Sequence, residues 1–236
     1  MITINPPKGN IALSHSRLSD YNQCPRKFYV KYIAKAYPEQ TDSPHLIRGS
    51  NVHKALENYI IKKNTKTEGI PVSSMAEVEA TKPFIDGIIE QFERVYPEIQ
   101  LAVDKNFNKV EWFAKETYWR SIIDFLAMNP TVAFIGDFKT GKMSDYSGWG
   151  GQLHLSAAMI LSAFPQLEKA NAAYIYVDHK QMTKIEVTRA DVPALIDHYN
   201  SEMSKVNSDA SFLPKTNEYC KWCECTQMQC EFSRKL

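Results

Sequence analysis

The sequence predicts an α/β protein with a central mixed β-sheet flanked by helices. Helical and strand-like patterns alternate along the 236 residues in the order helix, strands, helix, strands, helix. Two short apolar runs, residues 122–128 and 132–138, are separated by the turn signal Asn129-Pro130, which predicts a pair of strands. The length is that of one domain that buries roughly 70–75% of its unfolded surface.

The individual elements follow from the spacing of apolar residues. Residues 14–35 predict an N-terminal helical segment that is capped by Ser14 or Ser16 and broken at Pro25. The other predicted elements are a helix over 49–63, a loop over 64–74, a helix over 75–95, a hairpin within 98–118 about residues 106–108, a helix over 147–163, strands over 172–177 and 184–188, and a helix over 190–206. We expect a single domain over 1–236, with a core over 49–206 between the terminal segments 14–35 and 207–236.

Composition excludes some classes of protein. The formal net charge is +1, so a DNA-binding role requires local clusters of lysine and arginine. No run of about 18 apolar residues is present, and the start MITINPPKGN lacks the pattern of a signal peptide. We therefore expect a cytoplasmic protein, or one of the host cytoplasm if it is virus-encoded, without a membrane partner. Its five cysteines are expected to be reduced and available to a metal.

Each of the two apolar runs carries one carboxylate. Asp124 interrupts the first run, and Asp137 ends the second, two residues before Lys139. Because side chains alternate along a strand, Asp137 and Lys139 share a face, and a hairpin brings Asp124 beside them at one sheet edge. Two carboxylates and an ammonium group suit metal-dependent hydrolysis of phosphodiesters. The alternative is an exposed Lys–Asp pair, but the apolar flanks favour burial.

The order of these residues resembles a known family. Asp124, followed by Gly136-Asp137-Phe138-Lys139-Thr140-Gly141, is similar to the motif of the PD-(D/E)XK nuclease superfamily, and more narrowly of its RecB-like exonuclease branch. The resemblance implies a restriction-endonuclease-like core. It also implies Mg²⁺ or Mn²⁺ at a site formed by His53, Asp124, Asp137 and the backbone carbonyl of Phe138.

Two more motifs carry this resemblance. Arg48-Gly49 and His53 match R-G-x-x-x-H, so the resemblance implies that His53 is a metal ligand rather than an ordinary helix histidine. Gln152 matches the glutamine of Q-x-x-x-Y, which lies near the lysine and the scissile phosphate in the family. The resemblance thus implies Asp124, Asp137, Lys139 and Gln152 as catalytic residues, with Lys139 orienting the attacking water.

The chain departs from the family pattern at two positions. Ser156 stands where the tyrosine of Q-x-x-x-Y is usual, and Ser121 stands where a glycine usually lies three residues before the first aspartate. A glutamate upstream of that aspartate is common in the family, and Glu111 and Glu116 are the candidates here.

The C-terminal segment is rich in cysteine. Cys220 and Cys223 have the C-x-x-C spacing of metal sites, and Cys225 and Cys230 follow. The segment S-x-L-x-x-Y-x-x-C-P-R-K-F-Y-x-x-Y around Cys24 is similar to the N-terminal signature of RecB-like nucleases with an iron–sulfur cluster. The resemblance implies a [4Fe–4S] cluster on Cys24, Cys220, Cys223 and Cys230 that ties the two termini together. The alternative is a zinc site within the tail, with Cys225 as the fourth ligand and Cys24 buried as an ordinary apolar residue.

Three functions remain open at this point. The motifs favour a metal-dependent DNA exonuclease that acts on DNA ends or single-stranded DNA. The first alternative is a DNA-binding module of a recombination, repair or CRISPR-adaptation complex with weak or no catalysis, which implies protein partners of those processes. The second alternative is a structural iron–sulfur or zinc protein without a nucleic-acid partner.

Overall fold

The computed structural model describes residues 3–7, 9–38, 43–65, 75–143 and 148–234. The chain divides into two compact units. The larger unit is Thr41–Asp197, and the smaller one combines Met1–Gln40 with His198–Leu236. The described helices are α1 (His15–Gln23), α2 (Pro25–Phe28), α3 (Pro44–Thr65), α4 (Ala76–Gln91), α5 (Gln152–Ala163) and α6 (Val192–Ser208). The described strands are β1 (Arg94–Val103), β2 (Lys109–Val110), β3 (Trp119–Met128), β4 (Val132–Lys139), β5 (Lys169–Tyr176) and β6 (Gln181–Thr188).

A mixed sheet of six strands forms the centre of the larger unit. The strand order is β2-β1-β3-β4-β5-β6, in which β4 and β5 are parallel and every other pair is antiparallel. Helix α5 connects the two parallel strands, because strands of the same direction need a crossover. The predicted α/β class with a mixed sheet flanked by helices is therefore confirmed, and it fits a restriction-endonuclease-like core.

One layer of the core lies between the sheet and the helices α3 and α4. Val52, Leu56 and Ile60 recur at every fourth residue of α3, so they form one apolar stripe. This stripe belongs to the same buried cluster as Phe125 of β3 and Phe138 of β4. These two strands carry Asp124 and Asp137, so the packing of α3 fixes the part of the sheet that holds the carboxylates.

The structure corrects the limits of several predicted elements. The helix predicted over 75–95 ends at Gln91, because Arg94 and Val95 already belong to β1. The helix predicted over 49–63 begins earlier, at Pro44. In the loop predicted over 64–74, residues 66–74 lie outside the described residues. Ser147, at the start of the helix predicted over 147–163, also lies outside them, and the described helix in this region starts at Gln152.

The smaller unit begins with the predicted helical segment. Ser14 is the cap of α1, since its Oγ accepts a hydrogen bond from Arg17 N at 3.3 Å. The helix ends at Gln23 and restarts at Pro25, the first residue of α2, as the proline predicts. A π-helical turn, Tyr29–Ile33, follows α2. No helix within the described ranges is both long enough and apolar enough to cross a membrane.

Asp20 is the centre of an ionic cluster on α1. It accepts hydrogen bonds from the hydroxyl of Tyr32 at 2.6 Å and from Lys31 Nζ at 2.9 Å, and Lys27 Nζ lies 3.4 Å from it. Burial alone would raise the pKa of Asp20, but these hydrogen bonds and positive charges outweigh it and lower the pKa. The carboxylate therefore stabilises the folded unit in its ionised form.

Candidate active site

The two carboxylates meet where β3 and β4 diverge. The pairing of these strands runs from Met128 opposite Ala133 to Phe125 opposite Gly136 and stops there. One residue further on, Asp124 Oδ2 accepts a hydrogen bond from the backbone N–H of Phe138 at 2.8 Å. The carboxylate thus replaces a strand–strand hydrogen bond. The site lies between the two central strands of the sheet rather than at its edge.

Gly136 permits this close approach of the strands. A Cβ atom at this position would lie 3.0 Å from Ile175 Cδ1 and 3.3 Å from Phe125 Cβ. Both neighbours belong to the buried cluster under the sheet, and they would have to shift by a few tenths of an ångström to admit a side chain. Packing therefore favours glycine before Asp137 in this chain.

Asp137, Lys139 and Gln152 form a closed set of contacts. Lys139 Nζ lies 2.6 Å from Asp137 Oδ2 and donates a hydrogen bond to Gln152 Oε1 at 3.2 Å. Gln152 Nε2 in turn donates to Asp137 Oδ1 at 2.6 Å. Gln152 is the first residue of α5, so the start of this helix fixes the amide against the end of β4. The amide holds both the carboxylate and the ammonium group in place.

His53 approaches from α3. Its Nδ1 lies 3.4 Å from Asp124 Oδ2, and its ring meets the ring of Phe138 edge-on at 6.2 Å. Burial acts to lower the pKa of His53, but the hydrogen bond and the charge of Asp124, with the charge of Asp137, outweigh it and raise the pKa. The imidazole therefore lies in a negative environment that favours cations.

Asp137 is the most deeply buried of these charges, with 8% of its surface exposed. Burial raises its pKa to about 6; Lys139 opposes this rise, and the charge of Asp124 adds to it. Its Oδ2 is inaccessible to water and lies 2.6 Å from Lys139 Nζ, which is its partner. Because the pKa stays raised despite this ammonium group, Lys139 offsets only part of the cost of burying the charge, and a bound cation would relieve the rest.

This environment fits the predicted divalent cation. Two carboxylates and an imidazole are donors that Mg²⁺ or Mn²⁺ accepts. Among the described residues, no three His, Cys, Asp or Glu side chains already stand in a metal-binding arrangement. The ligand roles of His53, Asp124, Asp137 and the Phe138 carbonyl therefore stay predictions, as do the catalytic roles.

The two residues that depart from the family pattern, Ser121 and Ser156, contact each other. Ser121 on β3 and Ser156 on α5 are both buried, and their hydroxyl groups share a hydrogen bond of 2.9 Å. Ser156 therefore does not reach the site as a stacking or phosphate-binding group. The pair instead joins α5 to the strand that carries Asp124.

The candidate upstream glutamates lie elsewhere. Glu111 and Glu116 are exposed in the loop between β2 and β3. The register of β1 against β3 places Glu98 opposite Asp124, since its neighbours pair with Phe125 and Ile123. Glu98 has a φ of 26°, a conformation that side chains rarely adopt, and it lines a groove of about 500 Å³ with His53 and Thr140. Sequence reasoning missed Glu98, because strand register cannot be read from one sequence.

Arg48 was also missed as a contact residue. It donates hydrogen bonds to both oxygens of Asp178 and, at 2.7 Å, to Glu77. Asp178 Oδ2 also accepts a hydrogen bond from the backbone N–H of Gly141 at 2.7 Å. The hydrogen bonds from Arg48 are the main cause of the lowered pKa of Asp178. Arg48 thereby joins α3 to the loop that follows Lys139.

All five cysteines line one cavity of about 320 Å³ in the smaller unit. The predicted quartet, Cys24, Cys220, Cys223 and Cys230, is therefore brought together, and Cys225 is there as well with 1% of its surface exposed. A hydrogen bond from Cys225 lowers the pKa of Cys223 to about 6. A thiol with a lowered pKa is a better metal ligand, because the thiolate is the binding form. The choice between the [4Fe–4S] quartet and a zinc site with Cys225 stays a prediction.

The fold and the site define a class of protein. A mixed sheet with Asp124 at the divergence of two central strands and Asp137-x-Lys139 beside it is typical of the restriction-endonuclease-like fold. The family model of the PD-(D/E)XK nuclease superfamily matches residues 12–230. The chain therefore belongs to the PD-(D/E)XK nuclease superfamily.

Solved structures align with this chain at low sequence identity. A protein from Eubacterium rectale named "Putative exonuclease" is similar with a TM-score of 0.52 and 16% identity, over 90% of this chain and 86% of that chain. The crystal structure of SSO0001 aligns with a TM-score of 0.47 and 16% identity, over 93% of this chain and 85% of the other. No curated protein matches the sequence.

Proposed function

We propose that this chain is a divalent-cation-dependent DNA exonuclease of the RecB-like branch that acts on DNA ends or on single-stranded DNA. The observation that carries the proposal is the closed set of Asp137, Lys139 and Gln152 beside Asp124 and His53. An exposed Lys–Asp pair would not require a buried carboxylate and an amide that binds both partners. This set instead positions an ammonium group beside two carboxylates, which suits phosphodiester hydrolysis.

His53, Asp124, Asp137 and the carbonyl of Phe138 would hold the cation. When bound, Mg²⁺ or Mn²⁺ lowers the pKa of water and neutralises charge on the phosphate. Lys139 orients the attacking water and stabilises the negative charge that develops on the phosphate. Gln152 keeps the ammonium group beside Asp137, and His53 keeps Asp124 oriented. The expected products carry a 5′-phosphate and a 3′-hydroxyl.

The cysteine cavity is the second part of the proposal. Cys24, Cys220, Cys223 and Cys230 would hold a [4Fe–4S] cluster that supports the fold and DNA binding rather than hydrolysis. Because Cys24 and the other three lie near opposite ends of the chain, their joint ligation closes a loop of nearly the whole chain. In a chain-entropy account such a closure stabilises by about 5 kcal/mol. A zinc site that includes Cys225 is the alternative for this cavity.

One experiment tests both parts. The protein is purified without oxygen, its iron and zinc are measured, and it is incubated with end-labelled single- and double-stranded DNA with and without Mg²⁺ or Mn²⁺. We expect the purified protein to contain iron. We also expect it to cleave DNA only when Mg²⁺ or Mn²⁺ is present. Lys139→Ala should lose cleavage while it still binds DNA, and Lys184→Ala, which removes an exposed lysine of β6, is the matched control.

Each outcome has a defined meaning. Equal loss of cleavage in both lysine variants would contradict the role of Lys139. Zinc in place of iron, with cleavage intact, would refute the cluster and keep the nuclease. An iron protein that binds DNA but cleaves none of these substrates would favour the DNA-binding module of a recombination, repair or CRISPR-adaptation complex.

A further inference from the structure

The loop between β2 and β3 holds an aromatic side chain in solvent. Phe113 is 85% exposed, the largest value among the described large apolar residues. The loop around it is well ordered by hydrogen bonds: the hydroxyl of Thr117 donates to the carbonyl of Glu111 at 3.0 Å, and Thr117 N donates to the carbonyl of Ala114 at 3.1 Å. Thr117 itself is buried. The exposure of Phe113 is therefore fixed by the loop conformation.

The guanidinium group of Arg120 lies over the Phe113 ring. Arg120 Cζ lies 5.3 Å from the centre of the Phe113 ring and 5.3 Å from that of the Trp112 ring. Contacts of this kind favour a defined position of guanidinium and ring. Because most of the Phe113 ring remains accessible, it offers a flat apolar face beside a positive charge. Such a surface suits the flat face of a planar ligand.

This surface is continuous with the candidate active site. In β3, residues 119, 121 and 123 are buried, whereas Arg120, Ile122 and Asp124 are more exposed, so these three share one face. Ile122 is 47% exposed, although it lies within a strand. Gln100, the residue of β1 that pairs with Ile122, is exposed as well. We call Phe113, Arg120 and Ile122 the aromatic strip; it leads along β3 to Asp124.

We infer that the aromatic strip binds an unpaired stretch of DNA, with a base stacked on Phe113 while the phosphate to be cleaved lies at Asp124. The inference rests on the proposed function, which it deepens by naming the form of the substrate. Duplex bases have both faces covered by neighbours, whereas an unpaired base has a free face for an aromatic ring. The strip therefore selects single-stranded DNA over duplex DNA.

Length and charge make the inference specific. Four residues of strand separate Arg120 from Asp124, or about 13 Å, and stacked nucleotides rise about 3.4 Å each. A stacked strand must therefore extend about four nucleotides from the cleaved phosphate to reach Arg120, which contacts the Phe113 ring. The exposed Lys115 lies in the same loop, but so do the exposed Glu111 and Glu116. Stacking rather than charge should therefore carry this contact, with weak dependence on salt.

The test measures DNA binding by fluorescence anisotropy in EDTA, so that cleavage does not interfere. The probes are a single strand of about 12 nucleotides, an abasic strand of equal length and a duplex of equal length. Phe113→Ala should weaken binding of the normal single strand about fivefold or more, because stacking on one base contributes that much. The abasic strand and the duplex should bind the variant as they bind the unaltered protein.

Two further variants separate the ring from its apolar area. Phe113→Tyr keeps the aromatic face and should bind the single strand normally, whereas Phe113→Leu keeps apolar area and should bind like Phe113→Ala. Strands shorter than about four nucleotides should not distinguish any of these variants. Thermal unfolding of each variant should match that of the unaltered protein, because the side chain is exposed.

The outcomes distinguish this inference from the proposed function. Equal binding of the normal single strand by Phe113→Ala and the unaltered protein, with cation-dependent cleavage intact, would overturn the strip and keep the nuclease. Weaker binding by Phe113→Ala of a DNA that the protein never cleaves would keep the strip and overturn the nuclease. An equal loss for duplex or abasic DNA would overturn base stacking, and a failure of the unaltered protein to bind any DNA would overturn both.

Discussion

Replacing Asp137 by asparagine should make the metal-free protein more stable while it abolishes cleavage. Asp137 is almost fully buried, and burial raises its pKa although Lys139 Nζ lies 2.6 Å from Oδ2. Asparagine keeps the shape of the side chain and one oxygen, which can face either Gln152 or Lys139 but not both. It removes a charge that the folded protein holds at a cost. The site is thus a place where function and stability oppose each other.

The size of the effect follows from the raised pKa. Burial raises the pKa of Asp137 from 3.8 to about 6, so the folded state binds the carboxyl proton of Asp137 more tightly than the unfolded state does. The folded state is therefore favoured while Asp137 is protonated, below pH 3.8, and this gain is lost as the pH rises through 6. A shift of about two pKa units corresponds to on the order of 3 kcal/mol, which is an upper figure because Lys139 loses its charged partner in the variant.

The assay is thermal unfolding in EDTA at several pH values. Above pH 6 the Tm of Asp137→Asn should exceed that of the unaltered protein, by about 2–4 °C for each kcal/mol. The difference should vanish as the pH approaches 4. Asp197→Asn, at an exposed position of α6, is the matched control and should change Tm little at any pH. A lower Tm for Asp137→Asn at pH 7 to 8 would refute the view that the buried charge destabilises the fold.

Four other predictions concern different parts of the chain. Gln152→Ala should lower kcat about 100-fold with little change in KM, because the amide positions the reacting groups; a change in KM alone would contradict this. Ser121→Ala and Ser156→Ala should each lower the free energy of unfolding by about 1–2 kcal/mol, and the double variant should lose less than their sum; additive losses in urea unfolding would show that the hydroxyl groups do not interact. Cys225→Ala should keep its iron if the quartet holds the cluster, whereas loss of the bound metal in elemental analysis would favour the zinc site. Asp20→Asn should destabilise the protein at neutral pH, but this loss should disappear as the pH falls below 3.8, because the folded state lowers the pKa of Asp20; an equal loss at both pH values would argue against its ionic contacts.

Local periodicity predicted the centre of the fold well. The two apolar runs around Asn129-Pro130 are the paired strands β3 and β4, and the alternation of side chains placed Asp137 and Lys139 together. Those features depend on residues close in sequence, where the period of two is a direct consequence of backbone geometry. The burial of Asp137 was also predicted, from the apolar residues on both sides of it.

Long-range pairing could not be predicted in the same way. Arg48 binds Asp178, which lies 130 residues away, and no local pattern marks the two as partners. Glu98 lies opposite Asp124 only because of the register of β1 against β3. Residues 92–95 follow a helical pattern, yet strand pairing in the sheet ends the helix at Gln91. In each case a tertiary contact determines the local structure or the partner of a residue, and such contacts cannot be read directly from one sequence.

The hydrogen bond between Ser121 and Ser156 couples the side chains that these two positions can hold. In family members that keep the usual glycine and tyrosine there, we expect the large ring to use the space that the glycine leaves. Ser156→Tyr alone would then meet the Ser121 side chain, and Ser121→Gly alone would leave a buried hydroxyl group on Ser156 without its partner. Each single variant should therefore be less stable than the unaltered protein. We expect the double variant Ser121→Gly, Ser156→Tyr to be more stable than either single variant, because the two positions share one space.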